Sequence, residues 1–520
     1  MSSPLTVRNL TSTAICLQRV ERFEDPNTLQ SKAHGYFFNS RNTTSAVPTS
    51  PELSEHAQRF NNQDLEVTLQ PFESYTLSFP TPAQSSNAAT LSSPMLRITI
   101  QVAGTERHRI DTNPSYTQKS TQAFTALCVN PSATYKAIFH PSKPIPHLAI
   151  HNHHSPSYSS WMAALPDNLP LSAISIPGTH NSHTHYRALP SVRCQVHDIK
   201  TQLENGIRFL DIRVQPTHAT DLSKKDLYLV HGAFPISLSG PKYLEPILQT
   251  CYDFLSTNPS ETVLISLKRE GVGSATDEHL AQLLEKHYIT PNPSLWYTQN
   301  SIPYLHSVRG KLVLIRRYTT STSPSPEKAG LDATAWPHNA HHALFPSPSP
   351  SISPLTPTFC LQDYCEVLVP TLIPTKLQHC NDHLVRSARA LHPIPGLTTD
   401  AANPVPPGPL YLNFLSGSNF WKKACWPSAI AKVVNRGMEM WLCSGHHLEE
   451  AVAGRTRDPG ESQGGGEGDV GLVKRVGSGD GSTGVVIMDC VGENGDWDLV
   501  RLVVGMNMGV LSKCHSSTDC

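Results

Sequence analysis

Two hydrophobic periodicities divide the chain. In the first part apolar and polar residues alternate: Leu65, Val67 and Leu69 with Glu66 and Thr68, then Leu96, Ile98, Ile100 and Val102 with Arg97, Thr99 and Gln101. A period of two marks strands with one wet face. Pro, Ser and Asn punctuate the gaps, so residues 1–155 are expected to form a small all-β sandwich. After Trp161 short, nearly continuous apolar runs take over, at 171–176, 207–214, 227–230, 262–267, 312–315, 358–362, 410–414 and 484–491. Strands buried on both faces read this way. Between them lie helical stripes: Leu244, Ile247, Leu248, Cys251 and Leu255; Leu280, Leu283, Leu284 and Tyr288; Leu377, Cys380, Leu384, Val385, Ala388 and Leu391. The fold class expected is α/β, a distorted (β/α)8 TIM-like barrel over 160–512 preceded by the small all-β sandwich domain. The stretch 215–226 carries no clear helix. Two low-complexity segments, the Ser/Pro-rich 319–357 and the Gly-rich 452–482, are expected to be loop insertions in the barrel.

Composition narrows the partners. Lys and Arg number 41 against 42 Asp and Glu, a net charge of -1, so no basic excess points to nucleic acid. The 12 cysteines show no CxxC pairs, hence no disulfide framework or zinc motif is expected. No apolar run approaches the ~20 residues that span a bilayer, and the first twenty residues lack the apolar core of a signal peptide. The expectation is a cytoplasmic protein that reaches any lipid from the water side.

Barrel enzymes place chemistry at the C-terminal ends of their strands, and polar residues recur there. His180 follows the first run; Asp211 and Arg213, two apart and so on one face, lie in the second; His231 ends the third. Lys268-Arg269, Arg316-Arg317, Asp363 and Asp489 end or occupy the fourth, fifth, sixth and eighth. One such residue alone is ordinarily a solvated loop residue. Repetition at seven of the eight ends argues for a common mouth suited to an anionic, hydroxyl-rich substrate. Two histidines whose ordinary pKa lies near neutrality can serve as base and acid on a phosphodiester. His183, His185 and the clusters at 151–154 and 338–342 are read as loop or surface residues.

The segments "SIPGTHNS", "RFLDIRV", "LVHG", "NPSETVLISLKRE", "RGKLVLIRRY", "LQDYCEV", "LYLNFLSGS" and "GVVIMDCVGENGDWDLV" occur in that order. Together they resemble the catalytic X-type domain of bacterial-type phosphatidylinositol-specific phospholipases C. The whole is similar to fungal proteins that place a β domain before that barrel. The resemblance implies cleavage of phosphatidylinositol to diacylglycerol and a 1,2-cyclic inositol phosphate, with no metal and no cofactor, during transient contact with a membrane surface. It implies His180 as general base, Asp489 as its orienting carboxylate, His231 as general acid, Arg213 as the cation on the phosphorane and Asp211 as a carboxylate near the base. Lys268, Arg317 and Asp363 correspond to residues that hold inositol hydroxyls, and Trp336 to a rim aromatic. Two positions depart from the pattern. Asn181 stands where bacterial members have Asp, as in the calcium-dependent animal enzymes, yet those carry a calcium-binding carboxylate where this chain has Arg213. Cys365 stands where the family has a ring-stacking Tyr, next to Tyr364. Two other readings stay open: a metal-dependent glycerophosphodiester-type phosphodiesterase on the same barrel, and a catalytically weak lipid-binding protein.

Overall fold

The computed structural model describes residues 4–24, 53–78, 95–102, 104–141, 145–152, 157–321, 328–346, 358–448, 473–474 and 476–516. They fall into two compact units, one formed by Met1–His153 with Met440–Ser478, the other by His154–Glu439 with Gly479–Cys520. In the first unit, two sheets enclose an apolar core that includes Leu5, Val7, Leu17, Ile98, Ile100 and Ile150. Both alternating segments form strands, Gln58–Leu69 and Met95–Gln101, in the five-stranded sheet. The six-stranded sheet gains the short strand Val473–Lys474, which pairs antiparallel with Ser74 and Tyr75. Buried Arg8 donates to the carbonyls of Leu442 and His446. Thus Leu442, His446 and Val473–Lys474 pack with the N-terminal strands, whereas the expectation kept 160–512 together. Most of the Gly-rich 452–482 lies outside the described residues.

The second unit is built on a parallel sheet. We number its strands β1 (Ile176–Thr179), β2 (Phe209–Pro216), β3 (Leu227–Leu229), β4 (Val263–Arg269), β5 (Leu312–Arg316), β6 (Phe359–Gln362), β7 (Leu410–Phe414) and β8 (Val485–Met488). The hydrogen-bonded order is β5-β4-β2-β1-β8-β7-β6, all parallel. One apolar cluster collects Ile176, Phe209, Leu264, Val313, Phe359, Leu412 and Ile487 from seven strands, so the sheet wraps around a common interior as a TIM-like barrel does. β4, β5 and β8 are almost wholly buried, as their unbroken apolar runs require. Helices Leu244–Thr257, Asp277–Leu284 and Ile373–Ala388 cover the outside.

The barrel departs from a regular (β/α)8 design in four places. Among the described residues β5 and β6 are not paired, so the sheet is open there. β3 returns antiparallel on β2, with Val214 opposite Leu229 and Pro216 opposite Leu227; a hairpin replaces the crossover helix that 215–226 does not encode. Residues 171–173 form a 3-10 turn and β1 begins only at Ile176, because Pro170 and a buried Ser172 interrupt the run. The Ser/Pro-rich insertion contributes structure as well: Leu331–Asp332 adds parallel to β5, and Ala343–Phe345 adds antiparallel to β6. Two- and three-residue strands are too short to show alternation. The rest of that insertion, 322–327 and 347–357, lies outside the described residues.

The end of the barrel opposite the strand C-termini is secured by a buried ion pair. Arg208, just before β2, donates from Nε to Glu261 at 2.8 Å and from its other nitrogens to the carbonyls of Leu203, Ile207, Tyr158 and Ser159. Both side chains are fully buried. Removing one member strands a charge, which costs about 3–5 kcal/mol. Glu261→Ala is therefore expected to lower the unfolding free energy from urea denaturation by an amount in that range, without changing chemistry at the other end.

Candidate active site

The strand C-termini bring the predicted residues together. β1 approaches β2 closely at Gly178, where a Cβ would lie 2.8 Å from the Cβ of Phe209. β1 then delivers His180, and the chain turns at Asn181 with φ +42°, a conformation asparagine tolerates. Gln195 clamps the turn by donating to the carbonyls of His180 and Met488, tying β1 to β8.

The tautomer of His180 follows from its partners. Nε2 lies 3.1 Å from Arg213 Nη2 and 3.2 Å from Asn181 Nδ2. Guanidinium can only donate, so Nε2 accepts, and the proton sits on Nδ1 and is donated to Asp489 Oδ1 at 2.9 Å. His180 is thus an oriented neutral base. Asp489 is buried, and its Oδ2 has no partner among the described residues, so its charge faces the ring. The His231 ring stands 6.2 Å from that of His180, centroid to centroid, at 89°. His231 donates from Nδ1 to the Val192 carbonyl at 2.7 Å, which leaves Nε2 for a transferable proton. Burial, reinforced by Arg213 and His180, pushes its pKa well below the ordinary histidine value. These effects outweigh the opposing ones of the Val192 carbonyl and Glu270, and His231 is neutral.

Arg213 is the hub. It donates from Nη2 to Asp211 Oδ2 at 3.3 Å and from Nη1 to Glu270 at 3.1 and 3.2 Å. Burial alone would raise the Asp211 carboxyl and lower the Arg213 guanidinium, but their proximity overturns both effects: Asp211 lies far below the usual carboxylate range and Arg213 far above its own. Arg317 extends the network, Nη1 to Asp211 Oδ1 at 3.5 Å, with its guanidinium carbon 3.8 Å from the Trp336 ring centroid. Trp336 donates to Asp363 Oδ2 at 3.0 Å. Lys268 reaches Glu270 at 3.3 Å. Among the described residues, Nε of Arg213 and Nε of Arg317 are buried donors without acceptors. Such orphans are rare in folded proteins, and two on neighbouring guanidiniums suit an anion.

Among the described hydrogen bonds Cys365 makes none to this network, although Asp363 and Arg213 act on its thiol through space. Its backbone bonds Asn339, Val367 and Ser418, and its thiol is pushed up to about 11 by burial. Tyr364 turns away as well, its ring edge-on to His379 at 5.1 Å on the covering helix. His183 lies in a turn, as read, but inside the protein: it is fully buried, hydrogen-bonded to the Val230 carbonyl at 2.9 Å and lowered to about 4 by burial. That bond fixes the residue before His231. His185 packs on Tyr186 at 4.0 Å.

Glu270 is the residue that sequence reasoning missed, although its signal was present. It is two positions from Lys268 and hence on the same face, the same spacing that singled out Asp211 and Arg213. Burial works against its charge, but Arg213, Lys268 and the backbone N–H of Gly232 at 3.2 Å lower it to about 2. A carboxylate whose folded pKa is depressed adds stability above its unfolded pKa of about 4.3, and that stability is lost as pH falls towards the folded value. The urea midpoint is expected to drop between pH 5 and pH 2, and less steeply in Glu270→Gln. Cys194 was also missed, since nothing in its loop marks it. Its Sγ lies 4.0 Å from His231 Nδ1, and with His180 and Asp489 it places ligand-type atoms within 4.8 Å of one another. Burial holds this thiol far above its ordinary pKa, which opposes the thiolate a metal would need.

Residues 168–318 match the family model described as phosphatidylinositol-specific phospholipase C, X domain. A 1-phosphatidylinositol phosphodiesterase of Listeria monocytogenes is 36% identical over 166 residues, 30% of this chain and 47% of that protein. One from Staphylococcus aureus is 28% identical over 194 residues, 36% of this chain and 59% of that protein. A human PI-PLC X domain-containing protein 1 is 27% identical over 157 residues, 24% and 46% respectively. The matched segments span about half the length of these curated relatives. Among solved structures, the phosphatidylinositol-specific phospholipase C of Listeria monocytogenes aligns with a TM-score of 0.45 at 20% identity, covering 68% of this chain and 99% of that one. The family match contains His180, Asp211, Arg213, His231, Lys268 and Arg317, while Asp489, Asp363 and Trp336 reach the site from outside it. Residues 168–318 thus carry this chain's likeness to the X domain of phosphatidylinositol-specific phospholipases C.

Proposed function

We propose that the protein is a phosphatidylinositol-specific phospholipase C that forms diacylglycerol and inositol 1,2-cyclic phosphate by metal-independent acid–base catalysis. The observation that carries this reading is the neutral, oriented Nε2 of His180, 3.1 Å from Arg213 and on the side of a second imidazole 6.2 Å away. The inositol 2-hydroxyl gives its proton to His180 Nε2 as its oxygen attacks phosphorus. Asp489 stabilises the imidazolium that forms. Arg213, fixed by Asp211 and Glu270, offers its unpaired Nε–H to a non-bridging oxygen, where charge accumulates. His231 gives the proton on Nε2 to the glycerol oxygen as the P–O bond breaks. The nucleophile belongs to the substrate, so orientation supplies much of the acceleration. Lys268, Arg317 and Asp363 are placed to hold ring hydroxyls, with Trp336 as the aromatic beside them.

His231 must be protonated to act as acid, yet Asn181 supplies no charge to favour that state. The bound phosphodiester anion does so instead, opposing the effect of Arg213. Contact with a membrane surface has support in exposed apolar side chains that follow strand C-termini: Val272 after β4, Leu368 after β6 and Trp421 after β7, respectively 80%, 54% and 87% exposed. Among the described residues no helix is long and apolar enough to cross a membrane. The test is release of diacylglycerol from phosphatidylinositol vesicles by the full chain, well below its melting temperature, with and without EDTA. Equal rates are expected. Loss in EDTA with recovery on adding a divalent ion would move the reading to a metal-dependent phosphodiesterase using His180, Cys194 and Asp489. Vesicle binding without turnover would make it a lipid-binding protein.

A further inference from the structure

A second cluster lies on the outer side of the barrel wall. β6 turns Phe359 and Leu361 into the core and Cys360 the other way. The edge strand Ala343–Phe345 pairs Leu344 with Cys360, so the residue leading into it, His342, brings Nδ1 to 4.0 Å from Cys360 Sγ. The helix Ile373–Ala388 lowers His383 onto the same spot, on the face it shares with Cys380, Leu384 and Ser387. One ligand-type atom from each of His342, Cys360 and His383 lies within 4.8 Å of the others. His383 supplies an independent observation. It is fully buried, and among the described residues neither ring nitrogen has a hydrogen-bond partner; its ring only meets Tyr411 edge-on at 5.7 Å. An unmet buried polar group costs about 1–3 kcal/mol, a cost that a bound ion removes.

We propose that His342, Cys360 and His383 bind one zinc-like transition-metal dication, with water as fourth ligand. Two imidazoles and a thiolate suit zinc or cobalt and not calcium or magnesium, which take oxygen ligands. Bonds of about 2.0–2.3 Å require the ligand atoms to draw in by roughly 1 Å. His342, partly exposed at the sheet edge, gives both the movement and the way in. On binding, the Cys360 S–H bond breaks, the proton goes to solvent and a sulfur–metal bond forms, with no change of oxidation state. Burial pushes the Cys360 thiol up to about 12, an opposition the ion must overcome here as it would at Cys194, and Arg386, one helical turn beyond His383, relieves it only in part; Arg386 and Lys376 also act on His383, and their charge opposes the ion. The ion would tie the edge strand, β6 and the covering helix together where the sheet is not continued to β5. It takes no part in phosphodiester chemistry, so this inference stands apart from the proposed activity.

The test titrates the full chain, stripped of metal and freed of chelator, with Co²⁺ as a spectroscopic stand-in for Zn²⁺. One Co²⁺ per chain is expected, with thiolate-to-cobalt charge-transfer absorption that Zn²⁺ abolishes and a higher melting temperature in Zn²⁺. Loss of a direct ligand costs at least the ~10-fold seen for outer-shell partners, so His342→Ala should weaken binding at least that much. Cys360→Ser should remove the charge-transfer band. His342 is the decisive position because the other two are buried and their replacement also perturbs folding. A wild-type chain without a thiolate band overturns the proposal, and so does a His342→Ala variant that binds Co²⁺ as tightly as wild type.

Discussion

In a His180→Ala variant, turnover of phosphatidylinositol falls by roughly 10²–10⁴-fold, the range that a positioned general base supplies. No other group described at the site can replace it. Asp211 and Glu270 are committed to Arg213, and Asp489 contacts the site through the ring itself. The companion variant separates orientation from charge. Asp489→Asn keeps an oxygen for Nδ1, and the Arg213 and Asn181 N–H groups still hold Nε2 as the acceptor. The tautomer therefore survives and only the stabilisation of the imidazolium is lost. Asp489→Asn should cost less than His180→Ala, read from kcat/KM of the two variants. Circular dichroism and the urea midpoint of each variant separate these effects from misfolding.

In a His231→Ala variant, phosphatidylinositol turnover falls over the same order of magnitude, but an aryl ester of inositol phosphate is spared. Glycerol leaves as a strongly basic oxygen unless a proton is supplied, whereas a nitrophenolate leaves without help. A ratio of the two losses well above ten assigns His231 to the leaving group; equal losses would place it elsewhere. The pH profile carries the same signature. Burial, Arg213 and His180 all hold His231 in its neutral form. The free enzyme carries the required proton only below a depressed pKa, so kcat/KM for phosphatidylinositol should already be declining as pH rises through the acidic range, below the ordinary histidine value. For the aryl ester that decline should be weaker. Asn181→Asp places a carboxylate beside the imidazole pair, favours the charged forms and should move the decline to higher pH.

Much of the site was legible because strand periodicity sorts residues by face. His180 and His231 follow apolar runs, and the Asp211–Arg213 spacing puts both on one side of β2. These constraints are local and survive folding. What was not legible depends on partners far along the chain. His183 looked like a loop residue until Val230 supplied its acceptor. β3 looked like one more barrel strand, yet the register that returns it onto β2 is a tertiary choice. On the helix Ile373–Ala388 the sequence stripe holds at Cys380, Leu384 and Ala388, but the buried face also takes in Ile373, Lys376, His383 and Ser387, while Leu391 is 73% exposed. Polar residues took the inner face because Lys376 meets Gln362 at 3.1 Å and His383 meets Tyr411. A hydropathy pattern cannot see such pairings. Glu270 is a different case: its spacing was readable, and only the absence of a partner in view left it out.

The central claim is that two imidazoles act on one phosphorus, with the nucleophile inside the substrate. Phosphorus NMR of the full chain acting on phosphatidylinositol in EDTA tests it most directly. The account predicts that the five-membered inositol 1,2-cyclic phosphate resonance appears first and that any inositol 1-phosphate follows from it. An acyclic phosphomonoester appearing first, with no cyclic precursor, would mean that water attacks phosphorus and would contradict the account.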